Sequence, residues 1–138
     1  MADSSEIDAA LSNKLLTDPT LAGLMPDGVW FDVGKKGATK FVVVSLLSAL
    51  DEHMFQGRAY EGPLYLVKAV ALSTTGADVK AAAARIDALL DGGTLTITGY
   101  GLLAMQREER VRYTEVDQDN DARWQHRGGH YSVMAAAV

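Results

Sequence analysis

The stretch Thr75–Gly93, TGADVKAAAARIDALLDGG, decides how the rest of the chain is read. Val79, Ala82, Ala83, Ile86, Leu89 and Leu90 recur at helical spacing and trace one apolar stripe. Thr75, with Asp78 three residues on, offers a side-chain cap, and Gly92-Gly93 offers a left-handed stop. The small side chains of Ala81–Ala84 let such a helix lie close to a sheet. Both flanks supply strands for it to cover. Upstream, Leu64–Ser73 is largely apolar on both faces except at Lys68. Downstream, Thr94–Thr98 alternates with Leu95 and Ile97 on one face, and Leu102–Val116 reads as a long strand. Asp117–Asp121 is a polar turn, and Tyr131–Val138 is a closing strand.

Toward the N-terminus, Ser5 with Asp8 fits a capping pattern, and Ile7, Leu11 and Leu15 form the stripe of a helix over 6–16. Asp18-Pro19 restarts a helix, because Asp caps well and Pro suits the first helical position; Pro26-Asp27-Gly28 ends it as a turn. Val29–Val33 is rich in strand formers. Across the Gly34–Gly37 loop, Phe41–Val44 is a continuous apolar run suited to a strand covered on both faces. Between Ser48 and Gly62 the pattern dissolves, which predicts a long surface loop. No linker or repeat divides the chain. Residues 1–138 therefore read as one domain of α/β layers with a largely antiparallel sheet.

Composition bounds the function. The 138 residues carry 18 Asp plus Glu against 13 Lys plus Arg, a formal charge of −5, and 48 % hydrophobic residues. A chain of this size buries roughly 65–70 % of its unfolded surface, enough for a core without staples. Cysteine is absent, which excludes disulfides and thiolate metal sites. The acidic balance argues against holding nucleic acid by bulk charge. Glu6 and Asp8 precede the first Lys, the reverse of an export signal, so synthesis and use in the cytoplasm are expected. The longest apolar runs, Phe41–Leu47 and Leu64–Leu72, fall short of the ~20 residues a bilayer requires, so no membrane span is expected.

The motifs that suggest chemistry fail on inspection. Asp117–Asp121 begins like a calcium loop, but Ala122 stands where the sharp turn needs Gly and Gly128 where the bidentate Glu belongs. His126 and His130 are four apart, yet Gly128-Gly129 between them argues against a shared helix, and no third metal ligand joins them. Gly99–Ala104 matches a dinucleotide fingerprint in letters, but strand-like spacing follows it where a helix should open. His53 beside Asp51 and Glu52 has no partner nucleophile. No catalytic residue, metal site or cofactor is therefore expected. Arg107, Arg110 and Arg112 alternate with Glu108 and Glu109 and read as a self-compensated exposed strand. Lys35, Lys36 and Lys40 form a cationic cluster suited to an acidic partner or to passing DNA.

The order of elements resembles the tail terminator, or tail completion, proteins of long-tailed bacteriophages. The residues that carry this are LLTDPTLAGL over Leu15–Leu24, the strands at Val29–Val33 and Glu61–Leu72, the Gly76–Leu90 helix ending in Asp91-Gly92, and the closing strand pair within Glu108–Val138. The resemblance implies a mostly antiparallel sheet of four to five strands with helices on one side. It also implies a structural virion protein at the head-proximal end of the tail, assembled in the host cytoplasm. Such proteins form a homo-oligomeric ring, expected to be a hexamer, that caps the tail tube, ends its polymerisation and joins the head-side connector. DNA would pass through unbound, and an acidic subunit suits a lumen that does not retain it. Large apolar and Arg residues in a polar segment are types enriched at interfaces, so Met54, Phe55 and Arg58 are expected to contact a neighbouring subunit or the tube. Lys35 and Lys36 are expected to face the lumen or the tube. The rival readings are another phage ring protein, a head–tail connector or tube subunit, and a small-ligand binder using the Gly99–Ala104 turn.

Overall fold

Apolar spacing dictates the layers. The computed structural model describes residues 5–54 and 57–138, with side chains outside 50–59. Along the chain run α1 (Ser5–Leu16), α2 (Pro19–Leu24), β1 (Val29–Phe31), β2 (Lys40–Met54), β3 (Gly57–Leu72), α3 (Ala77–Leu90), β4 (Tyr100–Asp117) and β5 (Ala122–Ala137). The strands form one five-stranded sheet in the order β1-β2-β3-β5-β4. Only β1 and β2 pair in parallel; the other ladders are antiparallel. Ile7, Leu11 and Leu15 from α1, Leu21 from α2, and Val79, Ala82, Ile86 and Leu90 from α3 share one core with Val42, Tyr65, Val67 and Val133 of the sheet. All three helices therefore cover the same face, giving the expected α+β architecture. Fully burying each such Leu, Ile or Val contributes about 1.5–3 kcal/mol. No helix among the described residues is long and apolar enough to cross a membrane.

One carboxylate ties the helices together. Asp18 caps α2 by accepting from the Leu21 N–H at 2.9 Å, as Asp18-Pro19 predicts. The same carboxylate takes both arms of Arg85 on α3, at 2.8 and 2.6 Å. These bonds hold the Asp18 carboxyl at a pKa of about 2, with the Arg85 hydrogen bonds the largest cause. A planar guanidinium matches a carboxylate in this two-point way where an ammonium cannot. Gly92, at φ +70°, ends α3 as anticipated.

Several local expectations need correction. The segment 48–62 is not a loop: β2 and β3 pair from Lys40↔Ala71 out to Met54↔Gly57, a long hairpin. Irregularities between Leu46 and Ser48 and between Glu52 and His53 shift the register and erase the alternation that would have marked strands. Thr94–Thr98 makes no strand; it holds only an Ile97↔Tyr100 bridge, and Ile97 earns its apolar character by packing into the core. α3 begins after Gly76, which caps without a side-chain bond, while the Thr75 N–H is taken by Ser73 Oγ at 3.1 Å. The closing strand starts at Ala122 rather than Tyr131 and includes His126, Gly128, Gly129 and His130.

That glycine pair fixes the middle of the sheet. A Cβ on Gly128 would lie 2.1 Å from the Val67 carbonyl oxygen, and one on Gly129 would lie 2.7 Å from the Glu109 carbonyl oxygen. β5 therefore approaches β3 and β4 more closely than any side-chain-bearing residue allows. Gly128→Ala is expected to lower stability by more than about 2 kcal/mol, because backbone must move to admit the methyl group. Gly23→Ala, at an α2 position with no atom within 4 Å of the added Cβ, is expected to raise stability by about 0.5–1 kcal/mol. Urea titration of both variants measures the contrast.

Candidate functional site

The sheet face away from the helices carries its own cluster. Phe41, Val43 and Val70 are buried there, with Trp30, Ala38 and Trp124 packed against them. The loop between β1 and β2 provides the cover. Its base is held by Asp27, whose Oδ2 accepts from the N–H groups of Thr39 at 2.9 Å and Lys40 at 3.0 Å. These two bonds lower the Asp27 pKa. Gly34 lies flat on the Phe41 ring, where a Cβ would come within 2.4 Å of the aromatic edge. Phe41 in turn meets Trp124 edge-on, with ring centroids 6.2 Å apart. Between loop and sheet runs a cleft of about 600 Å³, floored by apolar side chains and edged by Lys35, Lys68, Glu115 and His126.

The polar edge is an interlocked set. Tyr113 stacks on His126 with centroids 4.3 Å apart and planes within 11°. The Lys68 ammonium lies 5.0 Å from the Tyr113 ring centre and also donates to the Tyr113 hydroxyl. His126 Nε2 is 3.1 Å from Glu115 Oε1. Burial, reinforced by the Lys68 charge, lowers the His126 pKa despite Glu115. In the neutral ring Nε2–H donates to Glu115, and Nδ1 is left as a buried acceptor with no hydrogen bond. His130 lies on the same face beyond Gly128, with Nδ1 3.4 Å from Glu109 Oε2. Among the described residues no three His, Asp or Glu side chains gather as metal ligands. The arrangement is suited to holding an apolar side chain against a cationic and aromatic rim.

The cationic cluster at 35–40 divides. Lys40 turns to Asp78 at 2.8 Å, whereas Lys35 and Lys36 are exposed on the covering loop, Lys35 at the cleft. Met54 and Arg58 lie at the far end of the β2–β3 ladder, and Phe55 lies outside the described residues. Fourteen residues of strand separate Lys40 from Met54, roughly 45 Å at about 3.3 Å per residue, so the two groups of expected contact residues sit at opposite ends of the molecule. Asp117–Asp121 forms the expected hairpin turn, with Asp117 accepting from the Asp119 N–H at 3.1 Å and from Asn120 Nδ2 at 2.8 Å. Gly99, at φ +80°, turns the chain into β4 and opens no helix.

One grouping escaped the sequence. A register shift between Arg107 and Glu109 places Glu109 opposite His130 on the open face, while Arg110 and Arg112 fall on the helix-covered side opposite Gly129 and Arg127. The acids and bases that alternate in sequence are thus sorted onto opposite faces.

Comparison with known proteins locates the fold. No protein-family profile matches the chain, and no curated protein sequence does. Among solved structures, it is similar to a chain in the virion of a native gene transfer agent particle, with a TM-score of 0.75 and 20 % identity over 98 % of each chain. A second solved structure matches with a TM-score of 0.61 and 14 % identity over 96 % of each chain. Likeness at these identities is likeness of fold.

The His126 environment has a pH signature. Its folded pKa lies below the ordinary 6.5, so the unfolded chain takes up the proton first. This contribution to stability is complete above about pH 6.5 and is lost as pH falls through the folded value. Denaturant midpoints at pH 7.5 and 5.0 are expected to show a drop that is smaller in His126→Gln.

Proposed function

We propose that the chain is a structural protein of a phage-like virion, a ring subunit that caps the tail tube, ends its polymerisation and presents the head–tail joining surface. The observation that carries this is the end-to-end fold likeness to a chain of a gene transfer agent virion, spanning 98 % of both chains. The sequence resemblance to tail terminators points the same way. In this reading six copies close the ring at the head-proximal end of the tail. Its partners are the tube protein on one side and the head-side connector on the other, and DNA passes through without specific binding. The work is done by surfaces, with no cofactor and no catalysis.

The fold supports the reading through what the helices leave bare. With α1, α2 and α3 all on one face, the loop-covered cleft and the Asp117–Asp121 turn are available to neighbours. Met54 and Arg58, at the end of the β2–β3 ladder, and Phe55, which lies outside the described residues, make the contact to an adjoining subunit or the tube. Lys35 and Lys36, on the loop over the cleft, face the lumen or the tube.

Native mass spectrometry of the purified chain is expected to show a discrete hexamer; open-ended tubes would instead mark a tube subunit. Phe55→Ala combined with Arg58→Ala is expected to weaken assembly about ten-fold or more while circular dichroism stays unchanged. Unaltered sedimentation and normal tail length in electron micrographs would exclude that contact. Lys35→Glu with Lys36→Glu is expected to reduce tail joining, and full infectivity of that variant would remove the two lysines from the functional surface.

A further inference from the structure

Where α3 ends its cover of the sheet, a groove of about 490 Å³ opens between the helix and the β4–β5 hairpin. Ala83 and Ala84 on α3 give it an apolar wall. Around that wall stand five cations, Lys80, Arg107, Arg110, Arg112 and Arg127, against a single carboxylate, Asp87. Asp87 is already engaged, 2.8 Å from Arg107 and 3.0 Å from the Tyr131 hydroxyl that donates to it. Lys80, Arg110, Arg112 and Arg127 have no ion pair among the described residues. Arg112 and Arg127 are moreover direct cross-strand partners. Like charges opposite one another oppose sheet formation, so nothing inside the subunit rewards this pairing.

We infer that this groove receives the acidic turn Asp117–Asp121 of a second copy of the chain. The inference rests on the ring reading and names the contact that would propagate it. Three observations favour this occupant. The turn carries three carboxylates in five residues, and those of Asp119 and Asp121 have no ion pair among the described residues. It cannot reach its own groove, because it caps the same paired strands, five residues beyond Arg112, or roughly 17 Å along a ladder that is paired throughout. The complementarity can be satisfied only between molecules, and a turn meeting a groove is a heterologous contact of the kind that closes rings. Guanidinium forks also grip carboxylates in two-point geometry. A nucleic acid is the less suited occupant, since a chain of formal charge −5 repels it outside this strip.

The test is a charge exchange on the full chain, read by analytical ultracentrifugation and native mass spectrometry. The groove variant is Arg110→Glu with Arg112→Glu. The turn variant is Asp119→Lys with Asp121→Asn, because Asn tolerates the left-handed backbone at φ 48°. Each variant alone is expected to weaken assembly about ten-fold or more, and the chain carrying all four changes is expected to recover much of it. Arg110→Gln with Arg112→Gln serves if the reversed groove disturbs folding, and is expected to weaken assembly to a smaller degree. Rings that survive both variants overturn the contact and leave the ring reading standing, whereas a wild-type chain that stays monomeric at every concentration overturns both. Failure of the four-change chain to recover assembly lost in the single-patch variants also overturns the contact. So does retardation of a short DNA duplex that the groove variant abolishes with assembly unchanged, which assigns the groove to phosphate.

Discussion

The close approach of β5 to β3 at Gly128 is the constraint on which the rest of the structure depends. Most of the sheet is two long hairpins, β2–β3 and β4–β5, each closed by local pairing, with the short β1 added in parallel at the β2 edge. They are joined only where β3 meets β5, from Glu61↔Ala135 to Leu72↔Trp124. That seam unites segments brought together by the α3 crossover, so its loop-closure cost is met before its ladder forms. Residues without side chains at 128 and 129 let the seam and the adjoining ladder draw tight at one level. Once the seam exists, Tyr65, Val67, Tyr131 and Val133 present a continuous apolar surface, and the three helices have a single face to cover.

How much of this was legible depended on whether a residue's neighbours lie close in sequence. α3, with Val79, Ala82, Ile86 and Leu90 inward and Gly92 at its stop, could be read directly, because helix periodicity and caps are local. Asp18-Pro19 was equally plain as a cap, but its partner Arg85 sits 67 residues away and leaves no local mark. The β2–β3 arm was misread because register shifts between Leu46 and Ser48 and between Glu52 and His53 break the two-residue period that marks a strand. β5 was truncated because Gln125–His130 carries polar residues and glycine on both faces, leaving Trp124 as the one large apolar side chain before Tyr131. At the site, Lys35, Lys36 and Lys40 read as one cationic cluster in sequence, but Lys40 turns to Asp78, while Trp124, Tyr113 and His126 become one cluster only through cross-strand register.

The same register logic separates charge. In sequence, the arginines and glutamates of 107–112 cancel. In space, one extra residue in β4 sends the carboxylate of Glu109 to the open face beside His130, and Arg110 and Arg112 to the side beneath α3. An acidic protein thereby acquires a strongly basic strip without altering its net charge. The open face gains a different character, an apolar cleft whose rim mixes Lys68, Glu115 and a neutral His126. Two chemically unlike surfaces thus lie on opposite sides of one sheet.

The departures from regular pairing in β4 have one more effect. This strand is 18 residues long and forms an edge of the sheet, so one row of its backbone donors and acceptors has no ladder partner within the subunit. A flat edge of that length is a template on which a second chain can add indefinitely. The irregularities at Leu102/Ala104 and Arg107/Glu109 interrupt the spacing of those groups, and the charges between Arg107 and Arg112 make straight strand addition electrostatically poor. Protection of this kind keeps separate copies from fusing edge to edge into amyloid-like ribbons.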